Sequence, residues 1–176
     1  MRLPVRYYGD SILRKKCVPI EKITDEIRQL IADMIETIDL ENGIGLAAPQ
    51  IGQPIRLFVL RNYVESADGL WSIDPTPRVY INPKLIDPSG PEAVEEEGCL
   101  SLPGLRAPVK RPWKITVEAI DINGNEFREE IEGYNARVRM HENDHINGVL
   151  FIDRLDQHIR NQIEPLLREM KKKYHP

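Results

Sequence analysis

The sequence lacks the features that would assign it to a membrane or secreted class. It contains no uncharged apolar stretch of about 18 residues, which a bilayer-spanning helix requires, and its first residues lack the apolar run of a secretion signal. Only two cysteines are present, Cys17 and Cys99, so no disulfide framework is expected and both thiols should be reduced. These absences predict a cytoplasmic protein, although an organellar form whose leader has been removed fits them as well.

An excess of positive charge is also missing. Lys and Arg number 24 against 28 Asp and Glu, a formal net charge of −4, so the sequence predicts no nucleic-acid partner, just as it predicts no membrane partner. The basic cluster at residues 170–173 is interpreted as the solvated end of a helix. With 41% hydrophobic and 30% charged residues in 176, the chain fits a single well-packed domain, residues 1–176.

The order of periodic segments predicts an α+β fold. We expect antiparallel β-sheets packed around a central helix, which carries the candidate metal ligands described below, with an N-terminal amphipathic helix and a C-terminal helix. The first helix follows from an apolar stripe over residues 23–38, with Thr24 as its N-cap and Asn42-Gly43 at its end. Strands are predicted at 55–60, 79–86, 114–122 and 126–131, and further helices from about 135 and over 157–173.

Two local features refine this prediction. Asn123-Gly124 is typical of the tight turn of a β-hairpin, so the last two strands should pair. Prolines punctuate the middle of the chain and predict long surface loops there; they stand at positions 75, 77, 83, 88, 91, 103, 108 and 112.

The segment MHENDH carries the first candidate site. At about 100° per residue, His141, Glu142 and His145 fall within about 100° of helical arc, on the same face as Val138. A buried glutamate between two histidines is costly unless a cation lies beside it. Two imidazoles four residues apart are the usual helical way to bind a metal ion, so a metal is favoured over two histidines that merely belong to the core.

A metal held by two histidines and open to substrate needs a third protein ligand. The extended metallopeptidase pattern HExxHxxGxxH fails, because Phe151 stands at its last position. Glu164 would make the chain an HExxH zinc metallopeptidase. Cys99 lies in a polar, glycine-flanked loop and would be deprotonated by coordination. The residues alone leave these two candidates open.

Three segments together resemble the motifs of the peptide deformylases. They are GIGLAAPQ at residues 43–50, EGCLS at 97–101 and HENDH at 141–145, and the resemblance extends over nearly the whole chain. Asn143 stands where the family usually has an apolar residue, and Met140 where glutamine is common. Both point away from the predicted metal face. The resemblance implies removal of the formyl group from the N-terminal formyl-methionine of newly synthesised polypeptides, with release of formate.

The resemblance also implies roles for individual residues. Cys99 would join His141 and His145 as a metal ligand, which leaves one position for water, whose pKa the metal lowers. Glu142 would transfer the proton of this water to the leaving amine. The side-chain amide of Gln50 and the backbone N–H of Leu100 would stabilise the oxyanion.

The substrate pocket is predicted from residues around these groups. Gly43 and Gly45 would let a peptide backbone approach closely, and Ile44, Tyr134 and Val138 would surround the methionine side chain. Arg106 would contact the peptide backbone by analogy with the family, or pair with the acidic run 95–97. The resemblance further suggests that Glu97 pairs with Arg111 and braces the cysteine loop.

The metal of this family is generally ferrous iron, Fe²⁺, while a His₂Cys site with an open position also accepts Zn²⁺, Ni²⁺ or Co²⁺. The expected partners are N-formylmethionyl nascent peptides, which implies proximity to the ribosome, but no segment of the sequence argues for ribosome binding. Two other interpretations compete: a nucleophilic Cys–His enzyme, which leaves Glu142 without a role, and a structural metal site, which usually has four protein ligands.

Overall fold

The computed structural model describes residues 1–175, which form three α-helices and seven β-strands. The helices are α1 (Asp25–Glu41), α2 (Gly133–Ile146) and α3 (Gln157–Tyr174). The strands are β1 (Gly45–Ala47), β2 (Leu57–Leu60), β3 (Tyr63–Glu65), β4 (Trp71–Ile73), β5 (Arg78–Cys99), β6 (Leu102–Ile120) and β7 (Glu126–Glu132).

Helix α2 lies at the centre of the fold. Five strands form one antiparallel sheet in the order β1-β2-β5-β6-β7, and β3 pairs with β4 in a separate two-stranded sheet. Ten of the fourteen residues of α2 are buried, and the helix packs against β1, β2, β6 and β7. The α+β prediction is therefore confirmed.

Helix α1 positions the segment that follows it. Thr24 caps the helix by accepting the N–H of Ile27 at 3.3 Å, as predicted, and Asn42 ends it in the left-handed conformation (φ 55°). The apolar stripe of α1 is buried at Ile31, Met34 and Ile38 against β1 and β2. This packing fixes the direction in which residues 43–50 leave the helix and pass alongside α2.

The end of α2 depends on a close backbone approach. Helix α2 is followed by Gly148, whose φ is +74°; a Cβ there would lie 2.5 Å from the carbonyl oxygen of Arg14. Only glycine fits, because this φ is unfavourable for other residues and the space is filled by backbone. The chain can therefore turn sharply after the last residue of the HENDH segment.

The proline-rich middle of the chain differs from its prediction. Residues expected to form long loops belong instead to β5 and β6, which pair as an extended hairpin. Pro83, Pro88 and Pro91 each lie within a register shift of this pairing, where the missing N–H removes no ladder bond. Pro108 and Pro112 precede the part of β6 that pairs with β7. At these two prolines the edge of β6 that faces away from β5 therefore has no strand partner. The loop prediction holds only for Pro75 and Pro77, which lie outside the strands.

The remaining local predictions are confirmed. Asn123 and Gly124 lie in the turn between β6 and β7, where Asp121 accepts the N–H groups of Asn123 and Asn125. Helix α3 covers the predicted C-terminal segment. Within residues 1–175 no helix is both long and apolar enough to cross a bilayer.

Candidate active site

Three side chains from two distant parts of the chain converge beside α2. Cys99 is the last residue of β5, whereas His141 and His145 lie one turn apart on α2. The Sγ atom and two histidine nitrogens lie within 4.8 Å of one another, the one group of this kind among the described residues. Both histidines are buried and Cys99 is partly exposed, so the cluster has one side open to solvent.

The distances within the cluster fit a tetrahedral metal ion. Such a site holds two histidine nitrogens about 3.3 Å apart, and a thiolate sulfur about 3.6 Å from each nitrogen. The Nε2 atoms of His141 and His145 are 3.3 Å apart, and Cys99 Sγ lies 3.3 Å from His145 Nε2. Burial, reinforced by the charges of His141 and Arg111, lowers the pKa of His145 well below its usual value. His145 is therefore neutral at pH 7 and offers a lone pair to a cation.

Glu142 is a buried carboxyl group beside this cluster. Its Oε2 atom has no hydrogen-bond partner in the described part of the chain. Burial raises the pKa of Glu142 to about 7, where a carboxyl group can both accept and release a proton. A Cβ at Gly45 would lie 2.5 Å from Glu142 Oε1, so the absence of a side chain at Gly45 makes room for this carboxyl group.

Gln50 presents an amide nitrogen to the cluster. Its Oε1 accepts the backbone N–H of Ala47 at 2.9 Å. Because only the amide oxygen can accept this bond, Nε2 must face the other way. It lies 3.4 Å from Cys99 Sγ and 3.1 Å from Ser101 Oγ. The amide is thus held in one orientation, with its donor directed at Cys99 and Ser101.

A chain of paired charges, all buried except Arg154, lies beside the histidines. Glu97 accepts two bonds from Arg111, at 2.6 and 2.9 Å, which confirms that these two residues pair. Arg111 also donates to Asp144 at 3.0 Å, and Asp144 accepts two bonds of 2.6 Å from Arg154. Arg137 donates to Glu97 at 2.7 Å. We call these five residues the Glu97 network.

Glu97 also orients one of the candidate ligands. Burial by itself raises the pKa of Glu97, but hydrogen bonds from Arg111 and His141 hold this pKa well below its usual range. The carboxylate accepts a hydrogen bond from His141 Nδ1 at 2.8 Å. This bond holds the Nδ1–H of His141 against Glu97, so the Nε2 atom is the one that faces the cluster and could bind a metal ion.

A cavity of about 600 Å³ opens in front of the cluster. It is lined by every residue that was predicted for catalysis, metal binding or the substrate pocket, except His145, which lies behind the others. Arg106, at the rim, lies 3.6 Å from Glu96 in the acidic run. Leu100 is at the turn between β5 and β6. The lining residues predicted from the sequence are Gly43, Ile44, Gly45, Gln50, Cys99, Leu100, Arg106, Tyr134, Val138, His141 and Glu142.

The structure separates Glu164 from this site. Glu164 lies on α3 and pairs with Arg160 at 2.5 Å and Arg168 at 3.4 Å, and it does not belong to the cluster around the histidines. The zinc metallopeptidase alternative therefore lacks its third ligand and is wrong. His158 and His175 are exposed, as predicted.

Several residues of the site were missed at the sequence level. Tyr63 lines the cavity and meets Tyr134 edge to face, with ring centroids 5.2 Å apart. No local pattern pointed to Tyr63, because it comes from the separate β3–β4 sheet. Helical periodicity could have predicted that Arg137 lies near the site, since it is one turn before His141 and about 40° from it around the helix.

The whole chain is similar to proteins of one known family. The family model described as polypeptide deformylase matches residues 2–161. The chain belongs to this family. It is 51% identical over 149 residues to peptide deformylase 1 of Clostridium perfringens, a match covering 85% of this chain and 95% of that protein.

Two solved structures of the family have the same fold. The peptide deformylase of Thermus thermophilus is 39% identical, with a TM-score of 0.86 over 99% of this chain and 98% of that one. The enzyme from Synechococcus elongatus, solved in complex with actinonin, is 37% identical, with a TM-score of 0.81 over 98% of this chain and 85% of that one.

Membership of the family establishes the activity. Peptide deformylases are metal-dependent hydrolases that remove the formyl group from N-formylmethionyl peptides. The Cys99, His141 and His145 cluster is the group of side chains in residues 1–175 that could hold the required metal ion.

Proposed function

We propose that Cys99, His141 and His145 hold the metal ion of this deformylase and that Glu142 is its proton carrier. The observation that carries the proposal is the convergence of Cys99, His141 and Glu142, with Gln50, at the base of one cavity, and of His145 with Cys99 and His141 in the cluster. When bound, the metal supplies Lewis acidity, which lowers the pKa of a water molecule and polarises the formyl carbonyl. All further steps depend on residues of the chain.

Glu142 moves the proton in this scheme. Water adds to the formyl carbon, and the C–N bond then breaks to give formate and a free amine. Glu142 accepts the proton of the attacking water and delivers it to the amine nitrogen as that bond breaks. Burial raises the pKa of Glu142 above its usual range, towards the working pH, where a general acid–base group is most effective. Burial, with no competing partner on Oε2, keeps this carboxyl group available.

Gln50 and Leu100 stabilise the tetrahedral intermediate. The Nε2 atom of Gln50 is already directed at the cluster, held by the bond between its Oε1 and Ala47. It donates to the developing oxyanion together with the backbone N–H of Leu100. A donor of this kind, fixed before the reaction, contributes about 3 to 4 kcal/mol to transition-state stabilisation.

The cavity binds the formyl-methionyl end of the peptide. Ile44, Tyr134 and Val138 form the walls that receive the methionine side chain, and Gly43 and Gly45 let the peptide backbone approach. Arg106 lies at the rim, where it contacts the peptide beyond its first residue. The substrates are nascent chains, which places the enzyme in the cytoplasm near the ribosome, with neither nucleic acid nor a membrane as its partner.

Ferrous iron is the metal that we propose. One thiolate and two imidazoles form a donor set that also suits Zn²⁺, Ni²⁺ and Co²⁺, so availability in the cell decides between them. Iron next to a thiolate makes the site sensitive to oxygen, because oxidation of the sulfur removes a ligand. We further propose that residues 1–176 act as one catalytic domain.

The experiment that tests this function measures formate release from a formyl-methionyl dipeptide. Protein purified and loaded with iron without oxygen should turn over, and Glu142→Ala should abolish turnover while its metal content is unchanged. Glu164→Ala is the matched control and should retain both metal and activity. No formate from folded, metal-replete wild-type protein would overturn the proposal, and so would loss of the metal from Glu164→Ala.

A further inference from the structure

Arg137 is a buried cation close to the site for which no role has yet been given. It lies on α2 one turn before His141 and is 4% exposed. Its Nη1 donates to Glu97 at 2.7 Å and to the carbonyl of Val109 at 2.8 Å, and its Nη2 donates to the carbonyl of Ala93 at 2.8 Å. The guanidinium group thus joins α2 to both strands of the β5–β6 hairpin.

The contact between Arg137 and Glu97 completes a clamp. Oε2 of Glu97 lies between Arg137 and Arg111, and Oε1 accepts from Arg111 and from His141 Nδ1. Arg111 holds the carboxylate from the strand side. Arg137 and His141 are four residues apart, so both hold it from the same face of α2. The carboxylate therefore has no free rotation and remains aligned with the imidazole ring.

We propose that Arg137 is a positioning residue that fixes the Glu97 carboxylate against His141 and so sets the affinity of the site for its metal ion. The inference rests on the proposed ligand role of His141. Carboxylates that orient a ligating histidine are typically worth about 10-fold to 100-fold in metal affinity or activity. Arg137 acts on His141 through such a carboxylate, so its removal should cost about 10-fold.

A purely structural role would give Arg137 a different signature. If Arg137 only connected α2 to the β5–β6 hairpin, its removal would lower the stability of the fold and leave the metal affinity unchanged. Helix α2 offers a matched control in Arg139, which is fully buried and donates to Glu129 and Tyr80, both at 2.9 Å. These partners lie on β7 and β5, on the other side of the helix from the cluster. Arg139 therefore reports the cost of removing a buried cation from α2 without disturbing Glu97.

The experiment compares Arg137→Met with Arg139→Met and Arg137→Lys. We would measure the Zn²⁺ dissociation constant by competition with a chelator, the free energy of unfolding of the metal-free protein, and kcat and KM for a formylated peptide. Both methionine variants should lose stability. Arg137→Met should also bind zinc about 10-fold more weakly and lose kcat, while Arg139→Met keeps the zinc affinity of the wild type. Arg137→Lys should regain part of the affinity, because its ammonium still pairs with Glu97.

The outcomes separate the inference from the proposed function. An unchanged zinc affinity in Arg137→Met, or an equal loss in both methionine variants, would overturn the positioning role. If Arg137→Met does not fold, Arg137→Gln, which also removes the cation, takes its place, and a wild-type zinc affinity in that variant would refute the inference. Wild-type protein that binds zinc but releases no formate in any metal form would refute the proposed function. The comparison of zinc affinities would still stand.

Discussion

The two sides of α2 both carry buried polar groups, but only one side pairs all of them. On the side facing β5 and β7, Arg139 donates from each of its three nitrogens, to Tyr80, Glu129, Asn135 and Asn62. On the side facing the cavity, Glu142 Oε2 and His145 Nδ1 have no hydrogen-bond partner among residues 1–175. The same helix therefore has fully hydrogen-bonded polar groups on one side and two buried atoms without a hydrogen-bond partner on the other.

This difference separates stability from function. Buried polar groups in proteins are nearly always paired, because an unpaired group loses its hydration without compensation. The sheet side of α2 obeys this rule. The cavity side departs from it at Glu142 Oε2, beside the place where a metal ion and a substrate are proposed to bind, which indicates that stability has been given up there for chemistry. The remaining unpaired atom, Asn143 Oδ1, lies away from the cluster, and nothing in the structure explains it.

The largest expected effect comes from the two cysteines. Cys99→Ala should weaken metal binding by more than about 100-fold, because losing a ligand costs more than losing the partner of a ligand, and formate release should become undetectable. Cys17→Ala changes a thiol buried in the core and should keep metal and activity, at a cost of about 1 kcal/mol in stability. Metal content and turnover measured on both variants check this. Retention of the metal by Cys99→Ala would contradict the assignment of the ligands.

The next largest effect is on the free energy of unfolding. Neutralising a carboxyl group should raise it on the cavity side of α2 and lower it on the sheet side. In the metal-free protein the pKa of Glu142 is about 7 against a usual 4.5. The folded state therefore binds more protons than the unfolded state between these pH values. The stability that this proton provides is complete below pH 4.5 and is lost as the pH rises through 7. Glu142→Gln should accordingly raise the free energy of unfolding at pH 8 by up to about 3 kcal/mol.

Glu129→Gln is the matched change on the sheet side. It removes the carboxylate that pairs with Arg139 at 2.9 Å, so it should lower the free energy of unfolding by about 1 to 3 kcal/mol. Denaturant unfolding of both metal-free variants at pH 5 and pH 8 gives the comparison. If Glu142→Gln is no more stable than the wild type at pH 8, the cavity side is not strained in the way the unpaired atoms indicate.

The smallest expected effect is at the rim of the cavity. Arg106 is 59% exposed and faces an exposed Glu96 at 3.6 Å, so Arg106→Ala should change the free energy of unfolding by less than about 1 kcal/mol. Because Arg106 lies away from the reacting groups, the variant should raise KM for a formylated peptide a few-fold and leave kcat unchanged. Steady-state kinetics with peptides of increasing length test this. A large fall in kcat would place Arg106 in the catalytic machinery instead.

Those parts of the fold could be predicted whose determining residues are close together in the sequence. The caps of α1 at Thr24 and Asn42 were predictable because the groups that form them are close in sequence. The Asn123-Gly124 hairpin was predictable for the same reason. The β5–β6 hairpin was not, because its prolines are tolerated only through register shifts and open strand edges. Those features depend on which strands pair, and no short stretch of sequence records that.

The site divides in the same way. The sequence by itself determined that His141, Glu142 and His145 share one face of a helix, since helical geometry fixes the direction of residues three and four positions apart. The residues alone could not show whether Cys99 or Glu164 is the third ligand. The tertiary structure shows it, because the answer depends on where β5 ends relative to α2. The same holds for the clamp around Glu97, which draws on β5, β6 and α2. Contacts between distant segments arise from the packing of the whole chain, and there the tertiary structure alone is informative.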